Sequence, residues 1–387
     1  MGNNLSIVTI SLLLLLAFTN AGQVFDVKSY GGQPDADITQ ALMKAWKAAC
    51  AVVGSKVVIS TGTYKLGSVT LLSPCKGAIE FNLQGTLHAP SDVASFNGKD
   101  FWVSFQRIDS LIVSGGGVFD GKGQMAWQKN NCGKKYNYKI LPTNIRFDFV
   151  KNSIVHDIQS KDSKFFHINL LGCKNLQIQH VTITAPGDSP NTDGIHIGRS
   201  SNITITNANI GTGDDCISIG DGTQDVTTNQ VTCGPGHGIS VGSLGKYQNE
   251  QPVFGIRVIG GTLSSTKNGV RIKTWPSSPP GIASDMHFEN IIMNNVANPI
   301  FIDQCTNQSP SKVKISNVSF KNIRGTSSTK EAVKLICSNS VPCQQVVVAD
   351  TNLVYKGLGG STTSTCVNVK PTFTGKQNPP TCTIKQY

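Results

Sequence analysis

One short strand motif recurs along this chain of 387 residues, and the interval between its copies restricts the folds that are possible. The motif occupies Asp193–Gly198, Asp215–Gly220 and His237–Gly242, and each copy starts 22 residues after the one before. Two further copies begin at Asn268 and Asn298. A motif that returns every 20 to 50 residues or so indicates a solenoid, in which each repeat forms one coil.

Short segments rich in Val, Ile and Thr, separated by Gly, Asn, Asp and Ser, continue from Val57 to about Tyr355 without a long polar linker. The first strand candidates are 56–60, 69–72, 79–83 and 111–114. We therefore predict an all-β, single-domain parallel β-helix with two or three strands per coil. A β-sandwich or propeller is the alternative, but a sandwich would not repeat one motif so evenly, and no blade signature is present.

A helical segment is predicted before the strands, at residues 35–51, with Asp37 as its N-cap. Its apolar residues share one face at helical spacing: Ile38, Ala41, Leu42, Ala45, Trp46 and Ala49. Because the first coil of a solenoid would otherwise expose apolar surface and strand edges, we expect an N-terminal capping helix.

The first 22 residues are predicted to be a secretory signal, followed by one mature domain at 23–387. The apolar run 7–18 is too short to span a bilayer and precedes small residues, although the four residues Met-Gly-Asn-Asn before it carry no positive charge. The opening six residues also fit the N-myristoylation pattern, but the apolar run and the cysteines favour export. No later segment could cross a membrane, so we expect a secreted, soluble protein.

Eleven cysteines in an exported chain predict disulfides, and an odd number leaves at least one thiol free. Local spacing favours four pairs: Cys50–Cys75, Cys216–Cys233, Cys337–Cys343 and Cys366–Cys382. Three cysteines remain, namely Cys132, Cys173 and Cys305. No tight Cys-x-x-Cys arrangement is present, and we predict neither a metal nor another cofactor. Glycosylation sequons lie at Asn202, Asn307 and Asn317, the second weakened by Pro310.

The formal net charge of +11 indicates an anionic partner, attracted over a long range. The basic residues are dispersed and no aromatic-studded recognition motif accompanies them, which argues against a nucleic acid. An acidic polysaccharide outside the cell is the simpler partner. A capped solenoid has no edge that must be covered, so we expect a monomer.

Stacked coils would bring together the residues at one repeat position, which are Asp193, Asp215 and His237. Equivalent positions in adjacent coils lie about 4.8 Å apart. Paired carboxylates can act as proton donor and water-activating base at a glycosidic bond, and close like charges push their pKa values apart. A Gly-Asp-Asp sequence alone is typical of a turn, but Asp214 and Asp215 in register with Asp193 and a glycine-flanked imidazole indicate an active site.

Two cations are predicted beside these acids, on the next coil. Val270 and Ile272 should point into the core, so alternation places Arg271 and Lys273 outside. Arg offers a planar fork and Lys a point charge, which together could clamp a substrate carboxylate. Four other histidines lie inside strand patterns and are interpreted as structural, without a role in the site: His156, His167, His180 and His196.

Four motifs occur here in the order and spacing of the polygalacturonases, a family of glycoside hydrolases: 191–193, 213–215, 236–238 and 271–273. The resemblance covers nearly the whole mature chain, including 120–123 and 299–304. Residues 189–198 and 211–245 look most like the plant pollen exopolygalacturonases, a group that includes pollen allergens. The resemblance implies a right-handed parallel β-helix and metal-free, inverting hydrolysis of α-1,4-galacturonosyl bonds in cell-wall pectate. It further implies release of galacturonic acid from a chain end, the activity of a galacturan 1,4-alpha-galacturonidase.

The resemblance also implies roles for single residues. Asp214 resembles the general acid, and Asp193 with Asp215 resembles the pair that activates water. His237 would tune the protonation of the acid, and Asn191 would orient its neighbours. The two cations, Arg271 and Lys273, would bind the galacturonate carboxylate. The family often has a tyrosine on the following strand, but 299–305 contains Phe301 and no tyrosine, so that role is unfilled.

Inversion requires room for a water, with carboxyl groups about 6.5–9.5 Å apart rather than about 5 Å. One coil step plus the reach of the side chains is compatible with that larger gap. Exo action requires loops that block one end of the cleft, and the candidates are 131–141, 244–251 and 275–283.

Other functions stay open at this point. An endo-acting polygalacturonase would have the same site in a cleft that is open at both ends. A pectate lyase would use calcium, which three residues could conceivably hold: Asp193, Asp214 and Asp215. The order of the motifs argues against a lyase. A non-catalytic, wall-binding solenoid would keep the fold and bind pectate without cleaving it.

Overall fold

A computed structural model describes residues 22–129, 141–304 and 309–385. Several sequence predictions lie outside these residues. They are the signal up to residue 21, Cys132, Cys305, the sequon at Asn307, and residues 131–140 of one candidate loop.

Thirty-three strands, β1 to β33 in chain order, make up most of the described residues. Their bounds are Val24–Asp26, Ser55–Ile59, Thr63–Lys65, Val69–Leu72, Ile79–Leu83, Thr86–His88, Phe101–Gln106, Leu111–Ser114, Val118–Asp120, Thr143–Asp148, Lys151–His156, Gln159–Lys161, Ile168–Leu171, Lys174–Gln179, Thr182–Thr184, Ile195–Gly198, Ser201–Thr206, Asn209–Gly211, Ile217–Ile219, Gln224–Cys233, Ile239–Leu244, Val253–Ser264, Asn268–Thr274, Gly281–Glu289, Ile292–Val296, Asn298–Asp303, Val313–Lys321, Arg324–Ser327, Glu331–Ile336, Gln344–Tyr355, Thr363–Val367, Thr372–Asn378 and Ile384–Lys385. The helices are α1 (Thr39–Cys50), α2 (Gln124–Lys129) and two 3-10 turns, Val27–Tyr30 and Val93–Phe96.

The strands form two parallel sheets that share one core. The site sheet contains 12 strands, in the order β33-β31-β29-β26-β23-β21-β19-β16-β13-β10-β7-β4, and the other 21 strands form the back sheet. Neighbouring strands of the site sheet pair in parallel. A typical coil uses one strand of the site sheet and two of the back sheet, as in β13, β14 and β15 before the next coil starts at β16. The predicted all-β parallel β-helix is confirmed, with three strands in a typical coil and two in others, such as β19 and β20, where one long strand pairs with both β17 and β18.

The predicted period of 22 residues holds for the coils around β16, β19 and β21. Ile195 pairs with Ile217, and Ile217 pairs with Ile239. The next two coils are longer, because Ile239 pairs with Val270 and Val270 with Ile300. The additional residues of those coils include the segments 244–251 and 275–283, which follow β21 and β23.

Stacked aliphatic side chains fill the interior of the coils. The five residues that pair along this row are all buried: Ile195, Ile217, Ile239, Val270 and Ile300. Val270 and Ile272 point inward, as predicted, while Arg271 and Lys273 between and after them are partly exposed. Burying one such aliphatic side chain stabilises the fold by about 1.5–3 kcal/mol, so a row of this length is a major source of stability.

Helix α1 packs the predicted apolar face against the first strands, but it begins later than predicted. Its N-cap is Ile38 and not Asp37, because the backbone of Asp37 forms a bridge with Lys65. The carboxylate of Asp37 still accepts a hydrogen bond from the N–H of Thr39, at 2.8 Å. The buried residues of the helix are Ala41, Leu42, Ala45, Trp46, Ala49 and Cys50. No helix within the described ranges combines the length and apolar character needed to cross a bilayer.

Four disulfides join the pairs that local spacing favours: Cys50–Cys75, Cys216–Cys233, Cys337–Cys343 and Cys366–Cys382. In the part of the chain that the structure describes, Cys173 is a free thiol. It lies in the core, where burial raises its pKa to about 12, so this thiol is unreactive near neutral pH.

Candidate active site

The turns that lead into β16, β19 and β21 carry the predicted site residues. Asp193, Asp215 and His237 each lie two residues before the aliphatic residue that pairs along the row. Backbone hydrogen bonds extend this register into the turns, since Gly194 N–H donates to the Asp215 carbonyl at 2.9 Å and Cys216 N–H donates to the Gly238 carbonyl at 2.8 Å. The three residues therefore stack in adjacent coils, as predicted.

The residue after each aspartate faces the core and thereby directs the aspartate outward. A Cβ atom on Gly194 would lie 2.5 Å from the Cys216 carbonyl oxygen and 2.5 Å from the Ile210 side chain. In the next coil the equivalent position is Cys216, which is fully buried in its disulfide with Cys233. Because the residue at this position faces the interior, the side chain of the aspartate before it points to the outer face of the site sheet.

Asp193 lies deep in the site, with 7% of its surface exposed. Its Oδ2 accepts a hydrogen bond of 2.7 Å from the hydroxyl of Ser218, one coil further on. Burial raises the pKa of Asp193 well above its usual range, and the nearby charges of Asp214 and Asp215 raise it further. The hydroxyl and the more distant charge of Lys273 oppose this shift only in part.

Asp215 is more buried still, at 1% exposure, and both of its oxygens are engaged. Oδ1 accepts from the Ser240 hydroxyl at 2.8 Å and from Arg271 Nη2 at 3.5 Å. Oδ2 accepts from Lys273 Nζ at 2.7 Å. The predicted cations therefore lie beside the acids, and they balance a buried negative charge that would otherwise be very costly.

Asp214 and His237 form the more accessible part of the site, with side chains 19% and 32% exposed. His237 Nδ1 lies 3.0 Å from Asp214 Oδ1, which also accepts the N–H of Asp215 at 2.8 Å. The backbone N–H of His237 donates to the carbonyl of Asp214 at 2.7 Å, which fixes the two turns to each other. Burial acts to raise the pKa of Asp214. Its hydrogen bonds to His237 and to the N–H of Asp215, together with the charges of His237 and Lys273, outweigh burial, and the pKa is lowered.

Asp193 and Asp215 lie beneath their partners, because Ser218, Ser240 and the two cations hydrogen-bond to their carboxylates. Asp214 and Asp215 have oxygens within 4.8 Å of each other, which is less than the gap of about 6.5–9.5 Å between the carboxyl groups of a usual inverting pair. The expectation of the larger gap concerned acids one coil step apart, and it stays a prediction.

Sequence reasoning missed the residues that hold the two buried carboxylates. Ser218 and Ser240 were not considered, and His196 was assigned no role, yet its Nδ1 lies 2.8 Å from the Ser218 hydroxyl. Burial lowers the pKa of His196 to about 4, so the ring is neutral near pH 7. A signal was available, because Ser218, Ser240 and Arg271 lie three residues after the start of successive repeats, at the same position as His196.

The other predicted residues lie as follows. Asn191 is half-buried in the turn before Asp193, with φ +55°. Phe301 pairs with Arg271 in the adjacent strand, and its ring has the ammonium group of Lys334 at 5.8 Å. His167 is buried in contact with Ser160, consistent with a structural residue, and His156 and His180 pair with Asp157 on the back sheet.

One group of side chains could in principle bind a metal ion, since ligand atoms of Asp214, Asp215 and His237 lie within 4.8 Å of one another. The donor set suits calcium poorly, because that ion prefers six to eight oxygen ligands. An imidazole nitrogen occupies one position here, and the ammonium group of Lys273 already neutralises Asp215. The arrangement therefore favours proton chemistry over calcium binding.

Two candidate loops meet at the carboxyl ends of β21 and β23. The carboxylate of Glu250 accepts three backbone N–H groups, those of Gly245, Lys246 and Tyr247, at 2.6, 2.8 and 3.0 Å. Trp275 N–H donates to the Leu244 carbonyl at 2.8 Å, and the Lys246 ammonium lies 5.4 Å from the Trp275 ring. These contacts join 244–251 to 275–283 as one rim beyond Lys273.

The sequence profile described as Glycosyl hydrolases family 28 matches residues 50–379. The chain is 56% identical to an exopolygalacturonase of Platanus acerifolia over 93% of this chain and 98% of the relative. It is 53% identical to an exopolygalacturonase of Oenothera organensis over 89% of this chain and 98% of the relative. It is 50% identical to a polygalacturonase of Gossypium barbadense over 99% of this chain and 97% of the relative.

Solved structures with the same fold include the endo-xylogalacturonan hydrolase of Aspergillus tubingensis. It superposes with a TM-score of 0.80 and 25% identity, covering 94% of this chain and 99% of that one. A hyperthermoactive exopolygalacturonase of Thermotoga maritima gives a TM-score of 0.72 at 16% identity, with 92% of each chain covered. The second likeness is one of fold alone.

Proposed function

The chain belongs to Glycosyl hydrolases family 28, and from this premise we propose that it is an exo-acting polygalacturonase that releases galacturonic acid from pectate by single displacement with inversion. The observation that carries the proposal is the stack of Asp193, Asp215 and His237 around Asp214, with Arg271 and Lys273 beside them. The names of the relatives support exo action on polygalacturonate.

Asp214 is the proposed proton donor to the leaving oxygen. It is the most exposed of the three carboxyl groups and therefore the one a substrate oxygen can reach. In the free enzyme its pKa is lowered by His237, so the proton it delivers is one that the Asp214–His237 pair shares across the 3.0 Å contact. A bound substrate would exclude water and add its own negative charge, and both effects favour the protonated carboxyl.

Asp193 and Asp215 are the proposed water-activating pair. A retaining enzyme needs a carboxylate that can attack the anomeric carbon, but both oxygens of Asp215 accept hydrogen bonds from protein groups and the residue is 1% exposed. A water molecule between the two carboxylates can reach the carbon where the carboxylates cannot. This supports inversion, although Asp214 and Asp215 lie closer than inverting pairs usually do.

Arg271 and Lys273 are the proposed binding groups for the galacturonate carboxylate. Lys273 also contacts Asp215, but an ammonium has three donors and a guanidinium has five, so both retain donors for a substrate.

Asn191 is proposed to orient the turn that carries Asp193. Exo action is assigned to the rim of 244–251 and 275–283, which the Glu250 contacts hold in place.

Further features of the proposal concern the protein as a whole. We propose export to the cell wall after removal of residues 1–22, a monomeric state, a right-handed coil, and a capping role for α1. The four disulfides support an extracellular location. Glycans are proposed at the exposed Asn202 and Asn317, whose Nδ2 atoms donate to Asn175 and Asp285. A glycosylated amide keeps one N–H, so these bonds can persist.

Product analysis tests the proposal against its alternatives. Polygalacturonate is digested with and without a chelator, and product size, reducing ends and ultraviolet absorbance are followed from the earliest times. We expect saturated galacturonic acid as the first product, with a rate unchanged by chelation, and a loss of at least about 100-fold in Asp214→Asn. A ladder of oligomers would mean an endo enzyme. An absorbing product that disappears on chelation would mean a lyase, and binding without new reducing ends a non-catalytic solenoid.

A further inference from the structure

A second row of polar side chains crosses the site sheet beside the catalytic turns. Strand pairing aligns His196 with Ser218, Ser218 with Ser240, and Ser240 with Arg271. Each serine reaches back to the carboxylate of the preceding coil. Ser218 contacts Asp193 at 2.7 Å and Ser240 contacts Asp215 at 2.8 Å. Each of the two buried carboxylates is thus held by a serine hydroxyl from the next coil.

The flanking residues fix which way these hydroxyl groups point. A serine hydroxyl has one proton to donate, and ionised Asp193 can only accept. If Ser218 donates to Asp193, the contact of 2.8 Å with His196 Nδ1 must be one in which the imidazole donates. His196 is therefore the Nδ1–H tautomer whenever Asp193 is ionised. Arg271 lies beside Ser240 as His196 lies beside Ser218, and its Nε is 3.4 Å from the Ser240 hydroxyl.

The surroundings of His196 hold its ring in this orientation. The ring stacks on Phe166, with centroids 4.8 Å apart and an angle of 30° between the planes. Gly198 and Gly220 lie beside the ring, and a Cβ at residue 220 would be in ordinary contact with His196 Cε1, at 3.4 Å. An imidazole that is packed, neutral and hydrogen-bonded through one nitrogen is well suited to orient a hydroxyl group.

We propose that Ser218 is a positioning residue that holds Asp193 in the ionised, water-binding geometry, and that His196 sets the direction of the Ser218 hydroxyl. The inference rests on the proposed function of Asp193 as part of the water-activating pair. Neither residue reacts with the substrate in this account. Ser218 acts through Asp193, and His196 acts through Ser218.

The arrangement predicts how turnover depends on pH. The groups that act on Asp193 are the charges of Asp214, Asp215 and Lys273, together with the Ser218 hydroxyl. Burial and the two acids favour the protonated form of Asp193, and the Ser218 hydroxyl is the contact that opposes them directly. Loss of this hydroxyl should therefore leave Asp193 protonated to higher pH and move the acidic limb of kcat/KM toward neutral pH.

The test compares Ser218→Ala with Ser218→Thr, which keeps a hydroxyl, and with Ser104→Ala as the matched control. Ser104 lies in the same row of the site sheet, four strands away, and is equally buried. We expect Ser218→Ala to lower kcat roughly 10-fold or more on the acidic side, with KM changed less than about twofold and a difference that shrinks as pH rises. Ser218→Thr should restore most of the activity, and Ser104→Ala should match the wild type.

His196 variants separate positioning from structural damage. The amide of His196→Asn can still donate from near the Nδ1 position, whereas His196→Ala cannot. We expect the first to keep the acidic limb closer to its wild-type position than the second, at equal melting temperature. An unchanged pH profile in Ser218→Ala, or equal profiles for the two His196 variants, would overturn the proposal. Wild-type enzyme that releases no galacturonic acid would instead refute the proposed function, which keeps the two failures distinct.

Discussion

Three carboxyl groups and one imidazole are crowded into three adjacent turns, and each acid is compensated by a different kind of partner. Asp215 has two cations, and Asp214 has the imidazole of His237. Asp193 has the neutral hydroxyl of Ser218 as its direct partner, and its pKa is raised. The least compensated charge is therefore on Asp193, and this imbalance has consequences for both stability and binding.

The raised pKa of Asp193 means that ionising this residue costs stability. Between the ordinary value of 3.8 and the raised value, the folded protein binds more protons than the unfolded chain, so stability falls as pH rises through this window. We expect Asp193→Asn to unfold at a higher temperature than the wild type near pH 7, by about 2–4 °C, with the gain vanishing below about pH 4. Melting curves across this pH range measure it. A variant that is less stable at pH 7 would contradict the electrostatic account.

Removing a cation should affect recognition of the substrate carboxylate. Arg271→Gln is expected to raise KM for oligogalacturonates roughly 10-fold and to affect methyl-esterified oligomers much less. Lys273→Gln should in addition lower kcat, because Lys273 contacts the buried Asp215 at 2.7 Å. Without Lys273, the buried carboxylate of Asp215 would lose a cation that compensates its charge. Steady-state kinetics on both substrates give the result. Equal losses on acidic and esterified oligomers would argue against a carboxylate clamp.

The repeated strand and its turn form the element that links sequence to site. The predicted strands at 69–72, 79–83 and 111–114 match β4, β5 and β8, because their alternation and turn residues are local signals. The stack of Asp193, Asp215 and His237 also followed from the sequence, since parallel register preserves the repeat position. What could not be predicted depends on distant contacts. Asp37 pairs with Lys65 and so moves the helix start. The two cations were predicted beside the acids, but the hydroxyl of Ser240 that also holds Asp215 was not.

Helix α1 offers a test of stability at this scale. Leu42 is fully buried against the first coils, whereas Lys44 on the same helix is exposed. We expect Leu42→Ala to destabilise the protein by about 2–5 kcal/mol through lost burial and a cavity, and Lys44→Ala to change stability by less than about 0.5 kcal/mol. Denaturant unfolding measures both. A cost for Leu42→Ala no larger than that for Lys44→Ala would show that α1 does not protect the end of the core.

At the scale of the whole molecule, the parallel coil makes a long, continuous outer face on which the proposed catalytic cluster lies. The site sheet runs from β4 to β33, and the cluster lies near its middle, at β16 to β23. The net charge of +11 would attract an anionic chain to this surface and favour its approach, more strongly at low salt. In the proposed function, the rim of 244–251 and 275–283 would limit how far such a chain extends past Lys273.

The configuration of the first product tests the central claim most directly. Early proton NMR spectra of a trigalacturonate digest distinguish the two anomers of the new reducing end before they equilibrate. Since the bond broken is α, attack by a water held at Asp193 and Asp215 must give the β anomer first. The account predicts an initial excess of β-galacturonic acid that decays to the equilibrium mixture. An initial excess of the α anomer would show that a carboxylate attacks the sugar and would contradict the account.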